Sequence, residues 1–304
     1  MVNTRLALIG ACSTFHADAM AGEQTRSMPG RPGLNGVRHH TVYRLPEAQL
    51  RALRQIADDV MINAAADITR AEGYAPPLPA NEAAFGDLRF EAAQEPGQHT
   101  CVNETDMLRV EKSIREARFM ADYVVVAMHS HELRARSKEE PAAFYEQFAR
   151  RCIDAGAHAV IGTGPHLLRP IEIYKGCPIF YSLGDFVLQL ETIARAPADM
   201  YEKQGMTGGE GLDELFDARS GGGKRGLYYS KVMFESVVPF WEVENGVLTR
   251  LELLPVELGF GQPRSTGGWP RPRHDGGILE RLAAMSEPYG TKIRVRDGVG
   301  TVEL

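Results

Sequence analysis

The 304-residue sequence lacks the marks of several protein classes. It has no run of the about 18 apolar residues that a membrane-crossing helix needs, so no membrane span is expected. Its four cysteines, Cys12, Cys101, Cys152 and Cys177, contain no CxxC pair. That argues against a zinc ribbon or disulfide framework and for reduced thiols packed in a core. Basic charge is not in excess either: 34 Lys and Arg stand against 40 Asp and Glu, a net charge of −6. Sequence-independent binding to nucleic acid or to an anionic membrane needs a basic face, so no nucleic-acid partner is expected. The apolar stretch from Leu6 to Ile9 is too short for a secretory signal, and a cytoplasmic location is the reading that follows.

What is present suffices for a folded core. Hydrophobic residues make up 43% and charged residues 24%, which excludes a mostly disordered chain. At about 150 residues per domain, the length fits two domains or one large α/β unit.

Local patterns place the elements. Arg5 to Ala11 reads as a buried strand. Cys12 to His40 reads as a loop, since Pro29-Gly30-Arg31-Pro32-Gly33 fits no regular element. Pro46 to Ala57 reads as a helix with Leu50, Leu53 and Ala57 on one face. Met107, Val110, Ile114 and Ala117 recur at helical steps after Asn103, a suitable cap. Tyr123 to Met128 is an apolar run that ends at His129, the pattern of a central parallel strand. A helix follows from Pro141, carrying Phe144, Phe148 and Cys152, and Gly156 stops it. Ala159 to Gly162 is the next buried strand. Hairpins are expected around Lys175-Gly176, around Asn245-Gly246 and in the tail from Lys292. Residues 204–226, rich in glycine, read as a mobile loop.

The middle of the chain is therefore strand, polar loop, helix, strand, polar loop. Ligands of α/β sheets sit at the carboxyl ends of such strands, and both loops here carry histidine. His129 and His131 alternate along an extended segment and so point the same way. His166 follows the next strand. Imidazoles clustered at strand ends suit an open Zn, Mn or Fe site, and hydrogen-bonded loop histidines fit the same spacing. His39, His40, His16 and His99 lie in segments read as loops, and His158 reads as structural. Arg31, Arg134, Arg136 and Arg169 fall in loops on one side of the sheet. They can grip an anion through bidentate contacts or pair with surface carboxylates, and Arg169 stands nearest the histidines. Phosphate-loop and nucleophile-elbow patterns are not met at Gly221-Gly222-Gly223-Lys224 or around Ser182.

Three segments resemble a known family: Val124-Val125-Val126-Ala127-Met128-His129, then Gly164-Pro165-His166-Leu167-Leu168-Arg169-Pro170-Ile171-Glu172, then Tyr181-Ser182-Leu183-Gly184-Asp185-Phe186. In this order they resemble the CapA family, capsule or poly-γ-glutamate synthesis proteins of the metallophosphatase superfamily. Gly30-Arg31-Pro32-Gly33-Leu34-Asn35 is similar to a branch without a membrane anchor. The resemblance implies an α/β fold of the metallo-dependent phosphatase type, an αββα sandwich. Residues 1–190 would form its core. Residues 191–304 would form an extension with a glycine-rich loop and β-hairpins packed on that core.

It further implies His129 and His166 as metal ligands and His131 as a ligand or general acid. Arg31 and Arg169 would hold an anionic polymer or a small anionic substrate. The upstream aspartate, Asn-Leu-Glu-like and Asn-Asn-His segments of the family have no counterpart here. Thr163 and Gly164 stand where one is usually histidine, and Asp185 where asparagine is usual. The expectation is a sandwich incomplete at its N-terminus, with weak or partial occupancy by a divalent metal. An uncovered sheet edge in such a sandwich would favour a homo-oligomer. Hydrolysis is the activity implied for a complete site, and a non-catalytic scaffold in polymer assembly for an incomplete one.

Overall fold

The computed structural model describes residues 4–134 and 136–304. The chain opens with β1 (Leu6–Cys12), a long loop, and β2 (His39–Leu45). Next come α1 (Glu47–Asp59), α2 (Ala64–Ala71), β3 (Glu82–Phe85), β4 (Leu88–Ala92) and β5 (Gly97–Val102). The central stretch holds α3 (Glu104–Met120), β6 (Tyr123–His129), β7 (Leu133–Arg134), β8 (Ser137–Pro141), α4 (Ala143–Asp154), β9 (Ala159–Thr163), β10 (Ile171–Tyr174) and β11 (Cys177–Phe180). The last third holds α5 (Ala198–Glu202), α6 (Leu212–Ser220), β12 (Glu235–Glu244), β13 (Val247–Glu257), β14 (Arg271–Pro272), α7 (Gly277–Ser286), β15 (Ile293–Arg296) and β16 (Val299–Val302).

The main sheet has the order β1-β6-β9-β11-β10, with all neighbours parallel except the β10–β11 hairpin. Because side chains alternate along a strand, each face carries its own core. One face presents Val124, Val126, Met128, Val160, Ile179 and Tyr181 to α3 and α4. From these helices come Met107, Val110 and Ile114, and Phe144, Phe148 and Cys152. Asn103 caps α3 by accepting the Asp106 N–H at 3.1 Å. The other face presents Ile171 and Phe180 to Val237, Leu251 and Leu253 of a second sheet, ordered β12-β13-β16-β15. Ile278, Leu279 and Leu282 of α7 join this second core. The fold is therefore α/β, with helices, sheet and second sheet in layers.

A separate four-stranded sheet, β3-β4-β2-β5, lies under α1. Sequence reading missed it. His39 and His40 stand in β2 and His99 in β5, not in loops, and the His39 ring stacks on Phe144 at 4.3 Å. These strands are half-buried along most of their length, so they lack the apolar alternation that marks a strand. Residues 204–226 also differ from expectation. Leu212 to Ser220 form α6, whose Leu215 and Phe216 are buried and whose first turn is held by Glu214 accepting the Gly211 N–H. β1 is a strand as read, but not a buried one. It is the edge of the main sheet, and Leu6 and Leu8 are 65% and 66% exposed. Among the described residues no helix is long and apolar enough to cross a membrane, and all four cysteines are unpaired.

The Asn245-Gly246 turn joins β12 to β13 with φ of 52° and 80°. Positive φ at both central residues defines a type I′ turn, and a β-branched side chain resists it. Gly246→Val should lower stability by roughly 1 kcal/mol or more. Thermal melting checks this, and an unchanged midpoint would contradict the turn's role.

Candidate functional site

The parallel strands β1, β6 and β9 end on one side of the main sheet, and the polar residues after them converge there. His129 closes β6, exposed to solvent. Two residues on, His131 lies on the same side. Their Nε2 atoms stand 3.1 Å apart. The His131 backbone N–H donates to Thr14 Oγ1 at 3.0 Å, which ties the loop after β6 to the loop after β1.

Glu132 sits behind these histidines. Its carboxylate accepts from Ser13 Oγ at 2.6 Å, Ser130 Oγ at 2.9 Å and Thr14 Oγ1 at 3.0 Å. Burial works against its charge, but the hydroxyl donors outweigh burial and hold its pKa below the usual range. The anion thus persists with neutral partners. The His131 pKa is lowered as well, with the opposite effect on charge. Partial burial first, then neighbouring His129 and His166, lower its pKa, which favours the neutral imidazole.

His166 enters on the loop after β9. Gly164 there has φ of 123°, and a Cβ on it would lie 2.8 Å from Ser130 O. Only glycine lets this loop approach the loop after β6 so closely. His166 itself takes φ of 62°, a left-handed conformation that is strained for a non-glycine residue. Asp185 holds it there: Nδ1 of His166 lies 2.9 Å from Asp185 Oδ2. The His131 and His166 ring centroids are 5.5 Å apart. On the other side, Nδ1 of His129 lies 3.2 Å from Thr163 Oγ1.

This donor set fits a divalent cation in part. Two imidazole nitrogens bound to one ion at about 2.0–2.1 Å stand roughly 2.9–3.4 Å apart, depending on the angle between them. The His129–His131 spacing of 3.1 Å falls in that range. Asp185 on His166 and Thr163 on His129 engage Nδ1 and leave Nε2 available, the pattern of outer partners around metal-binding histidines. However, among the described residues no three His, Cys, Asp or Glu side chains stand in a ready-made metal-holding arrangement. Two nitrogens are at ligand spacing, and the third ring stands apart.

Of the arginines, Arg169 takes a role other than the one expected. Arg169 is fully buried, and its guanidinium donates to three backbone carbonyls: Glu132 O at 2.8 Å, Lys138 O at 2.9 Å and Ser130 O at 3.5 Å. It pins the segment that carries His131 and is not presented to a substrate. Burial pushes its pKa down to about 10, which still leaves it charged at neutral pH. Arg31 is exposed, and its Nη2 donates to Met20 O at 2.8 Å within its own loop. Arg134 pairs with Glu146 at 2.6 Å. Asp185 and Glu132 are the site residues that sequence reading did not assign. The signal for Asp185 was its place of a usual asparagine, and for Glu132 its position beside His131.

Comparison with known proteins bears on the family of the chain. The family described as "Bacterial capsule synthesis protein PGA_cap" matches residues 5–190. "Uncharacterized protein y4sH" of Sinorhizobium fredii is 32% identical over 313 residues, covering 99% of this chain and 65% of its own length. The chain thus spans just under two thirds of that relative. "PGA biosynthesis protein CapA" of Bacillus subtilis is 46% identical over 74 residues, 24% of this chain and 19% of its own. "Capsule biosynthesis protein CapA" of Bacillus anthracis is 33% identical over 94 residues, 31% of this chain and 22% of its own. The chain belongs to the bacterial capsule synthesis family PGA_cap.

Proposed function

We propose that this protein acts in the synthesis or processing of a capsule polymer of the poly-γ-glutamate type, as a hydrolase assisted by a divalent metal. Family membership and the printed names of the two CapA relatives support the polymer. The observation that carries the chemistry is the 3.1 Å approach of the His129 and His131 Nε2 atoms. His129 and His166 would hold Mn, Zn or Fe, with His131 either a further ligand or the group that moves a proton. When bound, such an ion supplies Lewis acidity and an acidified water.

The chain's own groups do the rest. Asp185 and Thr163 keep Nδ1 of His166 and His129 engaged. Glu132 keeps a fixed negative charge behind His131, held by three hydroxyls. Arg169 fixes the backbone at Ser130, Glu132 and Lys138 through their carbonyls.

Asp185→Ala should weaken cation binding by about 10-fold or more, because His166 loses the group that fixes its tautomer and strained backbone. Calorimetric titration of metal-depleted protein with Mn or Zn checks this, and equal affinity would contradict the assignment. Hydrolysis of the polymer by the reloaded chain, lost in His131→Ala, tests the function itself. A second reading, a non-catalytic scaffold in polymer assembly, is favoured by the absence of a ready three-ligand arrangement among the described residues. Polymer binding without turnover in the reloaded chain would select it.

A further inference from the structure

A cavity of about 370 Å³ lies between α6, the segment 225–233 and the strand β8. Its walls include Leu190, Phe216, Leu227 and Met233. Lys138, Arg219 and Arg225 also line it. Four other cavities of similar size each carry at least one carboxylate in their lining: Asp217 in one, Asp58 in the next, Glu139 in the third and Glu82 in the fourth. This cavity has none among its described lining residues. In a chain of net charge −6, three cations around an apolar hollow with no lining acid select for an anion.

The cations are placed by the fold. The Arg225 guanidinium donates to the Ala218 and Arg219 carbonyls at the end of α6, which fixes its charge at the wall. Arg219 and Lys138 are exposed residues on α6 and β8, free to turn toward a ligand. Tyr229 lines the mouth with a ring 72% exposed, a surface on which a flat or alkyl body can rest. Small-molecule sites share this form, an apolar hollow of several hundred Å³ with a few placed polar groups.

We propose that this pocket binds a small ligand with an apolar alkyl or aryl body and one anionic head, a carboxylate or a phosphate monoester. The site is distinct from the histidine cluster. Among the described residues it borders it through Lys138, whose carbonyl accepts from Arg169. The ligand's body lies against Phe216 and Met233, and its head meets Lys138 and Arg219. A charge-assisted contact from each cation makes the anion bind more tightly than its neutral analogue.

Calorimetry on the metal-free chain tests this, so the result is independent of the metal reading. The probes are 4-phenylbutyrate, phenyl phosphate, 4-phenylbutanol and inorganic phosphate. At least one of the two aryl anions should bind saturably, and the better of them identifies the head group. The alcohol and inorganic phosphate should each bind about 10-fold more weakly or worse. The double variant Lys138→Ala/Arg219→Ala should weaken anion binding by a similar factor, and Leu227→Trp, which fills the cavity, should abolish it. Equal binding of the alcohol, no saturable binding of either aryl anion, or binding unchanged in these variants would overturn the proposal.

Discussion

Asp106→Ala should lower global stability by about 3 kcal/mol or more. The Asp106 side chain is fully buried at the start of α3. It accepts the Arg38 backbone N–H at 2.9 Å, Arg38 Nε at 2.8 Å, Arg38 Nη2 at 2.9 Å and Arg109 Nη1 at 2.7 Å. These contacts join α3 to the segment that leads into β2, and so fasten the small sheet to the main one. Burial alone would raise the Asp106 carboxyl, but the Arg38 and Arg109 contacts outweigh it and bring its pKa down to about 2. A carboxyl whose pKa is lower folded than unfolded stabilises the fold above its unfolded value. That stability is lost as pH falls through the folded value. The part of the Asp106→Ala loss linked to the Asp106 charge, about 2 kcal/mol, should therefore be complete above about pH 4 and vanish near pH 2. Denaturant midpoints of both proteins at pH 7 and pH 2.5 check this. A gap that does not narrow in acid would contradict the assignment.

Arg169→Met should weaken cation binding at the histidines by at least about 10-fold, with a smaller loss of global stability, about 1–3 kcal/mol. The substitution leaves Ser130, Glu132 and Lys138 carbonyls without their guanidinium donor. Its cost to global stability is limited because burial already disfavours the charge, as the pKa pushed down to about 10 records. The effect falls instead on the position of His131. Arg169→Lys should not restore it, since one ammonium cannot span three carbonyls in the plane of a guanidinium. Full cation affinity in Arg169→Met would show that the segment holds its shape unaided.

The elements legible in the sequence are those whose burial is one-sided or complete. The run Val124-Val125-Val126 is buried on both faces of β6, and the helical spacing of Met107, Val110, Ile114 and Ala117 is the buried stripe of α3. The turns at Lys175-Gly176 and Asn245-Gly246 announce themselves because few residues accept their positive φ. The small sheet does not, because Thr41, Tyr43 and His99 are half-buried and its apolar residues follow no period.

At the site, the convergence of His129, His131 and His166 follows from parallel strands ending together. The role of Arg169 does not follow from its neighbours in sequence. An arginine is seldom fully buried, and its three acceptors lie 31 to 39 positions away. The pairing of His166 with Asp185 spans 19 positions and two loops, beyond any local pattern. The exposure of Leu6 and Leu8 likewise depends on β1 standing at the sheet's edge, which no local run encodes.

The most direct test of the metal site is elemental analysis combined with titration. The purified chain, dialysed against metal-free buffer, should retain well under one tightly held Mn, Zn or Fe per chain. Titration with Mn or Zn should then show saturable, chelator-reversible binding that disappears in His129→Ala and in His166→Ala. Absence of saturable binding, or two ions retained through dialysis, would contradict the account.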